Sequence, residues 1–232
     1  MSDTLATLLE RNARHVGSLP GDHFAAVAER QTPPVVSVCC SDSRVSQEGM
    51  WDVDAPGWLF TPSNIGNQTW DRVGGELVVD GSVLYPLVET GTDTALVVGH
   101  TGCGALTAAL GTVRAGGHGY PPGVAKRVDL LVPVVSDGLA DDRVDPARDV
   151  SLVDQLVEFN VDRQVAFLRE NPAVPDDVTV LGFVYDFQNV YGTAPGRAYL
   201  VNADGETAPD ALRDLVADGY EGCVERLLPA EA

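Results

Sequence analysis

Two short segments concentrate residue types able to do chemistry: SVCCSDSRV, residues 37–45, and VVGHTGCGAL, residues 97–106. The first sets Cys39 beside Cys40, with Asp42 and Arg44 following; the second sets His100 three residues before Cys103. Thiolates and imidazoles bind zinc tetrahedrally, and a catalytic zinc keeps three protein ligands and one open position for water. Cys40, His100 and Cys103 supply such a set. The His-x-x-Cys spacing lets a turn entering a helix aim two side chains at one ion, and the third can come from a neighbouring strand end. Spacing alone favours a plainer reading, in which the cysteines pack as small apolar residues and the histidine satisfies a hydrogen bond.

The elements that must position these residues alternate between strand and helix. Leu5, Leu8, Leu9 and Val16 share a helical face, and Phe24 and Val27 continue the pattern after LPGD, predicting two helices in the first thirty residues. PPVVSVC predicts a buried strand ending at the cysteine pair, PGWLFTP a short strand, and Val79, Val83, Leu84, Leu87 and Val88 a helix. TALVVG is a second buried strand that delivers His100 and Cys103, with GALTAALGTV a helix starting there. RAGGHGYPPG reads as a loop, Leu152 to Leu168 as a helix, VTVLGFVYDF and RAYLVNADGE as strands, and Asp210 to Leu215 as a last short helix. The expected fold is a single α/β domain: a mainly parallel central sheet flanked by helices, with sites beyond the C-terminal strand ends. Within it, residues 1–30 form a helical arm, 31–190 the core that carries the site, and 191–232 a C-terminal strand and helices.

Bulk properties narrow the classes. Fifteen Lys plus Arg against 34 Asp plus Glu leave a formal charge of −19 over 232 residues, which disfavours nucleic acid and anionic membrane as partners. Such acidity suits a very soluble surface, and we read it as adaptation to strong salt, where screening relieves self-repulsion. The start MSDTLATLLERNARH lacks the features of a secretory leader and no long apolar run follows, so a cytoplasmic location is expected. Four cysteines, two of them adjacent, are too few to staple a chain of this size and are expected as thiols.

The surroundings of each candidate ligand change the balance. The chain resembles the β-class carbonic anhydrases, whose hallmarks are Cys-x-Asp-x-Arg and His-x-x-Cys; here CSDSR runs from Cys40 to Arg44 and HTGC from His100 to Cys103. The likeness extends through Gln31, PGWLF with Phe60, NIGN from Asn64, Tyr85, NVDRQV from Asn160 and GFVYD from Gly182, roughly residues 30 to 190. Gln31 together with Tyr85 places it nearer the plant-type branch, whose zinc keeps water as fourth ligand. Ser63 stands where the family commonly has a basic residue, and VVSVCC lacks the tryptophan that another branch pairs with it. The resemblance therefore implies no regulatory bicarbonate site.

The resemblance implies reversible hydration of carbon dioxide by zinc-bound hydroxide, with one Zn²⁺ per chain on Cys40, His100 and Cys103. Cys39 is left over, and alternation along a strand separately turns it to the opposite face. Asp42 would accept a hydrogen bond from the hydroxide while Arg44 keeps its carboxylate ionised. Phe60, Ile65 and Tyr85 would line an apolar carbon dioxide pocket, and Gln31 with the Gly104 N–H would donate to the substrate oxygens. The family also implies a homodimer or larger homo-oligomer, with Gln31 reaching the site across the interface. His118 is a weak shuttle candidate, His15 and His23 read as surface or interface, and Cys223 as packing. Two alternatives remain: hydrolysis of carbon disulfide or carbonyl sulfide on the same scaffold, and a non-enzymatic binding protein braced by a structural zinc, for which Cys39 and Cys223 would have to serve.

Overall fold

The structure, a computed structural model, describes residues 3–230. Its strands are β1 (Val35–Cys40), β2 (Leu59–Phe60), β3 (Ser63–Asn64), β4 (Trp70–Val73), β5 (Glu76–Val79), β6 (Thr94–His100), β7 (Thr179–Asp186) and β8 (Arg197–Ala203). Its helices are α1 (Asp3–Ser18), α2 (Gln47–Met50), α3 (Gly81–Glu89), α4 (Gly104–Ala115), α5 (Pro122–Ala140), α6 (Leu152–Glu170) and α7 (Pro209–Leu215).

β-Branched runs build the sheet centre. All six residues of β1, VVSVCC, are buried, as are the last six of β6. β1 runs parallel to β6, Val35 opposite Thr94 through Cys39 opposite Val98, and β6 runs parallel to β7, His100 opposite Tyr185. The order is β2-β1-β6-β7-β8, with β3 pairing beside the end of β1 and β8 antiparallel to β7. The expected α/β fold with a mainly parallel sheet is therefore present. Because β1 and β6 are parallel neighbours, their C-terminal ends, Cys40 and His100, emerge at one edge.

The main core gathers Val36, Val38, Cys40 and Val97 of the sheet with Leu106, Leu131, Leu156 and Val161 of α4, α5 and α6. On the other face Val35, Cys39, Leu96 and Val98 form a smaller cluster with Trp51, Phe183 and Tyr185. Consecutive Cys39 and Cys40 thus belong to opposite faces, as strand alternation requires. Gly99 lets α6 close onto β6: a Cβ there would lie 2.8 Å from a Val161 methyl carbon.

Several elements differ from expectation. Residues 21–27 form turns where a second helix was expected, and Val79 ends β5 before α3 begins. The β4–β5 hairpin, turning through Gly74 and Gly75 at positive φ, and the 19-residue α5 were not foreseen. None of the described helices is long and apolar enough to cross a membrane.

Candidate metal centre

Cys40 ends β1, His100 ends β6, and Cys103 immediately precedes the first residue of α4 after a tight turn through Gly102. The ligating atoms of these three buried side chains all lie within 4.8 Å of one another. The Cys40 and Cys103 Sγ atoms are 4.0 Å apart, far beyond a disulfide and close to the ~3.8 Å that two sulfurs span on one tetrahedral zinc.

His100 supplies the test of fit. Its Nδ1 lies 2.9 Å from the Thr101 carbonyl, an acceptor, so Nδ1 carries the proton and Nε2 offers a lone pair. That Nε2 is buried without a hydrogen-bond partner among the described residues. A buried nitrogen left unpaired is costly, and this one is grouped with two thiols. The donor set, two sulfurs and one imidazole nitrogen, is zinc chemistry.

Comparison with known proteins agrees with this reading. Residues 35–193 match the family model described as carbonic anhydrase. The carbonic anhydrase of Pseudomonas aeruginosa is 30% identical over 174 residues, 72% of this chain and 74% of that protein. The chain belongs to the carbonic anhydrase family, in its β class. Among solved structures, the β-carbonic anhydrase CcaA superposes with a TM-score of 0.68 at 22% identity, over 87% of this chain and 89% of that one. One of two tetrameric β-carbonic anhydrases from Sordaria macrospora superposes at 0.66 and 19% identity, over 86% and 98%. β-Carbonic anhydrases use zinc, and Cys40, His100 and Cys103 are fitted to hold it.

The two thiols differ in their electrostatics. The two sulfurs share one hydrogen bond; it lowers the Cys40 thiol to about 5, while the same bond and then burial push Cys103 up. The Gly66 N–H adds a 3.4 Å hydrogen bond to Cys40 Sγ. Gly66 sits at φ +85°, and a Cβ there would lie 2.5 Å from Leu131 Cδ1, so only glycine brings that N–H so close. α6 holds this loop: Asn160 donates to the Gly66 carbonyl at 3.4 Å, and Gln164 accepts from the Thr69 N–H at 2.8 Å. Cys39, with no exposed surface, is pushed up to about 12 by burial, as suits an inert core thiol.

Asp42 and Arg44 stand at the same edge. Arg44 grips Asp42 with a fork, Nε to Oδ1 at 2.8 Å and the terminal nitrogen to Oδ2 at 2.7 Å, and the Arg44 backbone N–H adds a third bond at 2.9 Å. This holds the Asp42 carboxyl well below the usual carboxylate range. Asp42 Oδ2 is 3.7 Å from His100 Nε2, so an ionised oxygen overlooks the ligand cluster.

Of the remaining candidates, the Phe60 and Tyr85 rings lie 6.4 Å apart in an open depression lined also by Pro62 and Ser82. Ile65 is half-buried beside Gly66, Gly104 opens α4 next to Cys103, and Gln31 is exposed in the segment before β1, outside the cluster. His118 lies beyond the far end of α4, bonded to Asp129 at 2.8 Å and accepting the Tyr120 N–H at 3.2 Å, which leaves neither ring nitrogen free. Residue types alone did not single out the support behind the ligands. Gly102 donates its N–H to Asp154 at 2.7 Å, and Asp186 accepts from Thr101 Oγ1 at 3.3 Å, so both residues between His100 and Cys103 are tied down.

Proposed function

We propose that this chain catalyses the reversible hydration of carbon dioxide to bicarbonate and a proton, using one zinc ion held by Cys40, His100 and Cys103. The supporting observation is the unpaired His100 Nε2, grouped with two thiols at tetrahedral-zinc separation and overlooked at 3.7 Å by Asp42. Zinc, when bound, supplies a Lewis acid that makes water a nucleophile near neutral pH. Asp42, kept ionised by Arg44, can only accept hydrogen bonds; it takes one from the attacking water and turns the free lone pair toward the substrate. The same fork would hold Asp42 back from a bound zinc, leaving room for water beside Cys40, His100 and Cys103.

Phe60, Ile65 and Tyr85 give an uncharged substrate an apolar wall. As charge builds on its oxygens, the Gly104 N–H and the Gln31 amide donate to them. Gln31 comes from a second copy of the chain. Support for this lies in α1, which has no buried residue while Leu5, Leu8, Leu9 and Val16 are exposed along it. An amphipathic helix of that kind needs an apolar surface that its own chain does not provide.

The test is metal analysis beside stopped-flow hydration assays on the wild type and on Asp42→Ala. Both proteins should hold close to one zinc per chain, with hydration about 10²-fold slower in the variant. Equal rates would remove Asp42 from the mechanism, and sulfide release from carbonyl sulfide or carbon disulfide without carbon dioxide hydration would reassign the substrate.

A further inference from the structure

The Arg44 side chain is 48% exposed. An ion pair that open to water is ordinarily weak and mobile, and a half-exposed arginine can leave its carboxylate at little cost. Here Arg44 has two further contacts. Its terminal nitrogen donates to the Gly102 carbonyl at 3.3 Å, and its guanidinium carbon lies 4.6 Å from the centre of the Phe187 ring, within cation–π range.

Phe187 also reaches the metal side. Its ring lies 24° from parallel to the His100 imidazole, with centroids 5.8 Å apart. Its own place is fixed by the preceding residue: Asp186, fully buried at the end of β7, accepts the backbone N–H groups of Gln188 at 3.0 Å and Tyr191 at 2.8 Å. The turn carrying Phe187 is therefore anchored by the same carboxylate that accepts from Thr101, the residue whose carbonyl orients His100.

We propose that Phe187 is a positioning residue, an aromatic platform that holds the Arg44 guanidinium in its fork and so keeps Asp42 directed at the substrate instead of the metal. This rests on the reading of Asp42 given above. Phe187 touches no substrate; it acts through Arg44. The ring face carries the effect, because a side chain of similar bulk without π electrons fills the space but does not attract the cation.

The experiment compares Phe187→Leu, which keeps bulk, with Phe187→Tyr, which keeps the face, each alone and combined with Arg44→Lys. Phe187→Leu should retain one zinc per chain and lose about fivefold in kcat with little change in KM, while Phe187→Tyr recovers most of the rate. In the Arg44→Lys background the leucine substitution should cost little more, since lysine has no planar fork on Asp42 for the ring to hold in place. Cobalt-substituted protein gives a readout independent of turnover: the visible spectrum of Phe187→Leu should respond more weakly to azide than the wild type, as Asp42 takes the fourth position. Equal losses for Leu and Tyr, additive losses with Arg44→Lys, or an unchanged azide response would each overturn the proposal. A wild type that binds cobalt and azide yet hydrates no carbon dioxide would instead overturn the functional reading, while the spectra would still report whether Phe187 restrains Asp42.

Discussion

Two histidines flank α4, and their surroundings are opposite. His100, before its start, is buried with Nδ1 bonded to the Thr101 carbonyl and Nε2 left without a partner beside two thiols. His118, beyond its end, has both nitrogens engaged, by Asp129 and by the Tyr120 N–H, and its ring packs on Tyr120 at 4.9 Å. A helix of twelve residues, about 18 Å long, lies between them in the chain. The contrast teaches that an unsatisfied nitrogen in a dry place marks a ligand better than the residue type does.

The largest effect belongs to the first histidine. His100→Ala should lose zinc and reduce hydration by about 10³-fold or more, read by metal analysis and stopped-flow assay; retained metal would break the contrast at once. Next comes removal of the ion with a chelator. It leaves two buried thiols sharing a proton and an unpaired imidazole, and should lower Tm by about 10 °C, restored by added zinc. Calorimetry showing no shift would mean that the cluster is satisfied without metal.

A smaller change tests the backing of Cys40. Gly66→Ala places a methyl 2.5 Å from Leu131 Cδ1 at a φ of +85°, and should cost about 1–3 kcal/mol in denaturant unfolding and weaken zinc retention. The smallest effect is expected at the second histidine. His118→Ala, which removes a pair whose Asp129 partner is 60% exposed, should change stability by under about 1 kcal/mol and hydration by less than about twofold. A rate loss at low buffer that imidazole repairs would make His118 a proton shuttle and end the contrast.

How far the sequence disclosed this differed from place to place. The strands β1 and β6 were legible because buried parallel strands are continuous β-branched runs, and TALVVGH and VVSVCC read as little else. α5 was not, although Pro121 and Pro122 mark a helix start and Val128, Leu131 and Val135 share its buried face; the loop reading of RAGGHGYPPG took in those prolines, and the residues after them were given no element. The hairpin hid in VGGEL, a glycine pair suited to a tight turn between strands too short to show alternation. Residues 21–27 carried a helical pattern, yet Phe24 is 53% exposed and no packed face stabilises a helix there.

At the site, the three clustered side chains were visible from residue type only once the flanking motifs were weighed, since His-x-x-Cys with a distant cysteine is common. Cys39 was separable from Cys40 by strand alternation alone. Phe187 gave no signal, because it reads as the last residue of the strand VTVLGFVYDF, and its meeting with Arg44 depends on β7 ending beside His100. Contacts of that kind arise from topology and leave no local pattern.

The central claim is one ion on two sulfurs and one imidazole nitrogen, and X-ray absorption at the zinc edge of freshly purified protein tests it most directly. The spectrum should show two sulfur neighbours at about 2.3 Å and two nitrogen or oxygen neighbours at about 2.0–2.1 Å. Three or four sulfurs, or no zinc in the sample, would contradict it.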